Sequence, residues 1–187
     1  MKKILLIGTG GTIASKQMGG GLTPGMEAQE ILEYVPEMAK ICEMDVLQLC
    51  NIDSTNMEPE VWTKLVLAIK ENYDKYEGFV VLHGTDTMAY TSAALSYMVQ
   101  NSRKPIVITG AQQPIDTDGT DAKVNLRDSI IYACDDYSEN VVLVFDGNVI
   151  AGTRAKKMRA RSFNAFHSVN FPVLARIQDS RIIRYIP

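Results

Sequence analysis

The chain has 187 residues, 46% hydrophobic and 22% charged, which predicts one domain that can bury a core without disulfides or metals and excludes disordered, collagenous and small cysteine-stapled classes. Nineteen basic against 22 acidic residues leave a formal net charge of -3, so no overall attraction to nucleic acid or anionic membrane is expected, and no apolar run approaches the ~20 residues of a membrane span. Three cysteines without C-x-x-C spacing and only two histidines predict free thiols and no metal site. Met1-Lys2-Lys3 starts like a signal peptide, but glycines cut its apolar segment short and no cleavage site follows, so the expected compartment is the cytoplasm.

Along the chain, apolar runs of strand length alternate with segments of helical period, the pattern of βαβ units around a parallel sheet. Strands are predicted over residues 3–8, 45–50, 78–83, 105–110 and 140–145, buried on both faces. Helices are predicted over 26–35, stopped by Pro36; over 59–73, with Pro59 in the first turn; and over 87–100 and 122–136. Asp146-Gly147-Asn148 is a hairpin turn that returns the chain as an antiparallel edge over 149–152. A second hairpin, 174–177 with 181–185, closes the chain. The fold class is α/β, a doubly wound, mostly parallel sheet of flavodoxin-like order 2-1-3-4-5 with an antiparallel edge hairpin, and its ligand site lies beyond the carboxyl ends of the strands. There the first three strands deliver Thr9-Gly10-Gly11-Thr12, Asp53-Ser54-Thr55 and Gly84-Thr85-Asp86-Thr87 as neighbours, and the fourth delivers Ala111-Gln112.

The first glycine turn matches a dinucleotide fingerprint only in part, since Ile13 stands at the third glycine, and no P-loop lysine follows. Its glycines allow a tight turn that presents Thr9 and Thr12 at the strand end; Thr12 can then be a nucleophile, or it satisfies local backbone groups. Asp53, Ser54 and Thr55 precede the cap position Glu58 by too much to be caps of the next helix, which favours ligand contact. One of Thr85, Asp86 and Thr87 caps a helix; the others are in excess, and a carboxylate beside two hydroxyls can hold an ammonium or orient a lysine. His83 reads as a hydrogen-bonded core histidine. Five of the eight residues from Arg154 to Arg161 are basic, either a solvated face or the source of a lysine, Lys156 or Lys157, that activates a hydroxyl.

These segments resemble a known family. Thr9-Gly10-Gly11-Thr12-Ile13-Ala14-Ser15 and His83-Gly84-Thr85-Asp86-Thr87-Met88 are similar to the two threonine motifs of L-asparaginases, in particular the cytosolic bacterial type I branch. Asn51-Ile52-Asp53-Ser54-Thr55, Ile108-Thr109-Gly110-Ala111-Gln112, Gly152-Thr153-Arg154-Ala155-Lys156-Lys157 and Ser168-Val169-Asn170 match as well, so the likeness covers the whole chain. It implies hydrolysis of L-asparagine to L-aspartate and ammonia through an acyl-enzyme, without cofactor or metal. By the same resemblance Thr12 is the nucleophile; Thr85, Asp86 and Lys157 form a second triad with Lys157 as base; Asp53, Ser54 and Thr55 hold the α-carboxylate; Asp86 also holds the α-ammonium; and the Ala111 carbonyl meets the leaving amide nitrogen. L-glutamine is the alternative substrate.

Two departures from the family pattern stand out. Leu22 occupies the approximate place of a lid tyrosine, after the glycines 19–21 that suit a mobile lid. The chain also stops where a further C-terminal domain would begin, so it reads as residues 1–187 of a single N-terminal domain, with a homo-oligomer expected of the full-length protein. Three other functions compete: an asparaginase-like subunit of a tRNA-dependent amidotransferase, disfavoured because the first strand begins at Lys3 with no room for that subunit's extra N-terminal domain; a catalytically silent amino-acid-binding module; and a nucleic-acid module on Arg154–Arg161, disfavoured by the acidic net charge.

Overall fold

In the computed structural model, which describes residues 1–18 and 21–186, the five apolar runs lie side by side in one sheet. Strands β1 (Lys2–Gly10), β2 (Ser15–Met18) and β3 (Gly21–Pro24) precede α1 (Ala28–Leu32) and β4 (Cys42–Ile52). Then come α2 (Pro59–Asn72), β5 (Gly78–Leu82), α3 (Met88–Met98), β6 (Ile106–Thr109), α4 (Ala122–Ala133) and β7 (Val141–Phe145). The chain continues through β8 (Asn148–Ala151), β9 (Ala155–Lys157), β10 (Phe166–Ser168), β11 (Ala175–Gln178) and β12 (Arg181–Arg184). The main sheet runs β12-β11-β8-β7-β6-β5-β1-β4. Its five parallel members follow the expected order 2-1-3-4-5, and β8, β11 and β12 extend it antiparallel.

Alternation along the parallel strands splits the core in two, because successive side chains point to opposite faces. Ile4, Leu6, Val80, Leu82, Val107 and Val142 pack with Ile31 of α1 and with Leu126 and Ile130 of α4. Leu5, Ile7, Phe79, Val81, Ile108 and Leu143 pack with Leu65 and Ile69 of α2 and with Met88 and Leu95 of α3 on the other face. Truncating a fully buried leucine such as Leu65 or Leu126 to alanine costs about 2–5 kcal/mol.

Four readings need correction. Helix α1 is a short segment ending at Leu32, and Pro36 opens a separate 3-10 turn, Pro36–Lys40, because its missing N–H is harmless at a first turn. Strand β4 is half-exposed rather than buried on both faces, since it is an edge with β1 as its one neighbour. The return strand β8 is no edge, because β11 and β12 add beyond it. Two small hairpins, β2–β3 and β9–β10, were not predicted, and they carry the segments that flank the site. Gly19, Gly20 and the side chain of Leu22, invoked for a lid, lie outside the described residues.

Candidate active site

Three loops close on one another at the carboxyl ends of β1, β4 and β5, and glycine makes the closure sterically feasible. Gly10 has φ of 104°, and a Cβ there would lie 2.6 Å from the Ile52 backbone; Gly11 has φ of 86°, and its Cβ would lie 2.4 Å from Gly84. A Cβ on Gly84 would in turn sit 2.5 Å from Ser54 Oγ. Only residues without side chains allow the three backbones to approach this closely. Hydrogen bonds fix the arrangement: Gly11 N donates to Ile52 O at 3.1 Å, Thr9 Oγ1 to Leu82 O at 2.7 Å and Thr87 Oγ1 to Ser54 O at 2.7 Å. Thr9, expected at the site mouth, is buried and pins strand ends instead. Thr87 is the N-cap residue of α3, but its hydroxyl serves this link between loops and leaves the cap unmade.

The closure leaves a cavity of about 120 Å³ lined by Gly11, Thr12, Ser15, Asp53, Ser54, Gly84, Thr85 and Asp86. Thr12 opens the 3-10 turn Thr12–Ala14 directly after the glycine pair. Asp53 caps the 3-10 turn Ser54–Asn56, its Oδ1 accepting from Thr55 N at 2.8 Å and from Thr55 Oγ1 at 2.9 Å. Thr55 is exposed and is not among the residues lining this cavity; its N–H and hydroxyl order Asp53. Ala111 is fully buried behind the site and likewise is not a lining residue.

Lys157 reaches the cavity wall from β9. Its Nζ donates to Thr85 Oγ1 at 2.8 Å and to Asp86 Oδ1 at 2.7 Å. The lysine side chain is 17% exposed and that of Asp86 59%, so the ion pair contributes at most about 1 kcal/mol to stability and matters more for geometry. Thr85 donates its own proton to Gln112 Oε1 at 3.2 Å. Gln112 is held from both sides: its N–H donates to the buried Asp121 carboxylate, Oδ2 at 2.9 Å, and its Nε2 to Ser162 O at 3.1 Å. Burial pushes the Asp121 carboxyl up from its ordinary value, opposed by the N–H groups of Gln112 and Gln113.

His83 is the core residue expected. It is fully buried, and burial lowers its pKa to about 4, so the ring is neutral. Nδ1 donates to Gly84 O at 2.7 Å, which leaves Nε2 to accept from Thr91 Oγ1 at 2.8 Å; Thr91 accepts from Trp62 Nε1 at 2.8 Å. This chain of bonds anchors the glycine at the centre of the closure. Lys156 is exposed, in contrast to Lys157. The sequence reading omitted Ser15 and gave Gln112 no role of its own, although both lie inside motifs it had identified. No group of three or more His, Cys, Asp or Glu that could hold a metal occurs among the described residues, and no helix among them is long and apolar enough to cross a membrane.

This arrangement has counterparts among known proteins. The family model described as Asparaginase, N-terminal matches residues 3–186. An L-asparaginase of Thermococcus kodakarensis is 38% identical over 190 residues, covering 99% of this chain and 57% of the relative. A solved structure, the thermostable L-asparaginase from the same organism, superposes with a TM-score of 0.90 at 35% identity over 99% of this chain and 56% of that one. L-asparaginase 1 of Escherichia coli K12 is 38% identical over 92% of this chain and 52% of its own length. A glutamyl-tRNA(Gln) amidotransferase subunit from Metallosphaera sedula is 36% identical over 94% of this chain and 42% of its own length. The chain thus spans about half the length of the curated relatives it matches.

Proposed function

The chain belongs to the asparaginase family, matching its N-terminal domain, and from that premise we propose that it carries the nucleophile and proton-transfer groups of a cytoplasmic L-asparagine amidohydrolase. The observation that carries this reading is Lys157 bonded to Thr85 and Asp86, two residues that line the same cavity as Thr12. A threonine hydroxyl is a weak nucleophile at its own pKa and needs an adjacent base. In the proposed sequence Lys157 acts in its neutral form, its ammonium proton passed to bulk water, and the Thr85 hydroxyl turns from Gln112 toward the free Nζ. Thr12 Oγ attacks the side-chain amide carbon while its proton passes along this relay to the departing nitrogen. Ammonia leaves, and an ester on Thr12 remains. Water then attacks the ester carbonyl, Lys157 taking its proton through Thr85 and returning it by the same route to the departing Thr12 oxygen, and L-aspartate is released with Thr12 restored.

Charge decides how the substrate sits. Asp53 and Asp86 both line the cavity, and two negative charges there attract the α-ammonium. The α-carboxylate falls to the Ser54 hydroxyl and neighbouring N–H groups, and Asp53 takes a place opposite to the one the family resemblance implied for it. The Ala111 carbonyl, behind the cavity, would reach the leaving nitrogen only at its inner end. We read the chain as a single N-terminal domain of a homo-oligomeric whole protein; Tyr90 and Tyr97 on the outer side of α3, 67% and 69% exposed, support a face that other parts of the assembly cover.

Ammonia release from L-asparagine by the purified chain, beside Thr12→Ala, tests the proposal. Turnover that disappears in the variant supports it. A folded protein that binds L-aspartate but releases no ammonia overturns it in favour of a silent binding module. The amidotransferase relative supports a second reading in which L-glutamine is the amide donor; the pockets differ by one methylene, a discrimination of about 1–3 kcal/mol, so the ratio of kcat/KM for the two amides decides between them.

A further inference from the structure

We propose that His83 is a positioning residue for the reaction: through a hydrogen-bonded chain that starts at Trp62 and passes Thr91, it locks the peptide joining Gly84 to Thr85 against flipping and keeps Thr85 N–H turned to the cavity. This role rests on the amidohydrolase reading of the site. The direction of the chain is fixed at both ends. An indole N–H only donates, so Thr91 Oγ1 accepts from Trp62 Nε1. A carbonyl only accepts, so the proton of the neutral ring sits on Nδ1, facing Gly84 O, and Nε2 is left to take the one proton that Thr91 has. Thr91 and His83 are fully buried, where bulk water does not compete for these bonds. Trp62 lies on α2 and Thr91 on α3, so the carbonyl beyond the end of β5 is tied to both helices of that face.

Glycine makes such a clamp necessary. A Cβ on Gly84 would lie 2.5 Å from Ser54 Oγ, so the close approach of the loops demands glycine there, and a peptide that follows glycine rotates with little steric penalty. His83 is itself firmly seated. Its N–H donates to Thr109 O at 2.8 Å, and a Cβ on Gly110 would lie 2.2 Å from its carbonyl oxygen.

What the clamp secures is a donor. The peptide is trans, so Thr85 N–H points away from Gly84 O. Gly84 O meets the buried ring, whereas Gly84 and Thr85 both line the cavity; the N–H is thereby turned to the cavity, and it has no hydrogen-bond partner among the described residues. Attack by Thr12 Oγ turns the amide oxygen into an oxyanion in a cavity that Asp53 and Asp86 already line. A fixed N–H offsets that charge as it forms, whereas a flipped peptide would present Gly84 O in its place and repel the oxyanion.

The test combines nitrogen-15 NMR of the chain at pH 7, with and without saturating L-aspartate, and ammonia-release kinetics of His83→Leu, His83→Asn and Thr91→Val. The expected spectra show the ring proton on Nδ1 and a downfield move of the Thr85 amide proton when L-aspartate binds. His83→Leu should lower kcat about 10²-fold while KM changes less than about 3-fold, because the donor matters most in the transition state. His83→Asn, whose Nδ2 can take the place of Nδ1, should recover most of that loss, and Thr91→Val should fall between the two. A ring proton on Nε2, a Thr85 amide unmoved at saturation, a raised KM with unchanged kcat in His83→Leu, or no recovery in His83→Asn would each overturn the proposal. A chain that binds L-aspartate through Thr85 N–H but releases no ammonia contradicts the amidohydrolase reading and leaves the clamp standing; one that neither binds nor turns over contradicts both. If the variants fail to fold, the ring proton and the Thr85 amide of the unaltered chain decide.

Discussion

Two threonines line the same cavity and are held in opposite ways. Thr85 is engaged on both sides, accepting from Lys157 and donating to Gln112, which is itself tied to Asp121 and Ser162. Thr12 sits on a one-turn 3-10 segment after two glycines, and its hydroxyl has no hydrogen-bond partner among the described residues. The contrast separates the two duties of a hydroxyl in acyl transfer. A group that relays protons works best when its partners are assembled beforehand, whereas a group that must form a bond to carbon needs an unblocked lone pair. The difference supports the proposed division of labour, relay for Thr85 and attack for Thr12.

Substitutions that erase the contrast should have the largest effects. Thr12→Ala removes the attacking oxygen, and kcat is expected to fall on the order of 10³-fold or more with the fold intact, measured by ammonia release. Lys157→Met leaves Thr85 without its base and Asp86 without its partner; a loss of about 10²–10⁴-fold in kcat is expected, with L-aspartate still bound in calorimetry. Gly84→Ala forces Ser54 away, because the added carbon would lie 2.5 Å from its hydroxyl, and kcat/KM should drop about 10-fold or more, through KM above all.

The smallest effect on activity is expected away from both threonines. Asp128, 2% exposed on α4, has its carboxyl raised to about 6 by burial, which its neighbour Arg127 offsets in part. The folded chain therefore holds that proton more tightly than the unfolded one, and stability from this group is full below about pH 4 and is lost as pH rises to about 6. Asp128→Asn should flatten that loss and gain on the order of 2–3 kcal/mol above pH 6, seen as a higher Tm at pH 7 than that of the unaltered chain, with ammonia release unchanged.

Much of this arrangement could be read from the chain itself. The five parallel strands followed from continuous Val, Ile and Leu runs separated by helical periods, and the doubly wound order 2-1-3-4-5 chosen for them put Thr12, Ser54 and Thr85 together. The hairpin β9–β10, which brings Lys157 to Thr85, was invisible because three-residue strands carry no period; family resemblance, not pattern, singled Lys157 out from Lys156. Pro36 was misread as a stop because a proline that begins a 3-10 turn and one that ends a helix look alike in sequence. The half-exposed state of β4 depends on having no further neighbour, a property of the sheet and not of the strand. Gln112 escaped notice as a partner of Thr85 because an amide becomes specific only through what it touches.

The assignment of attack to Thr12 and relay to Thr85 can be tested most directly by acid-quenching the chain during turnover of L-asparagine and mapping ester-linked aspartyl groups by mass spectrometry. The account predicts the ester on the peptide containing Thr12, absent from Thr12→Ala and present, slowly formed, in Lys157→Met. An ester on the Thr85 peptide, or full turnover by Thr12→Ala, would contradict it.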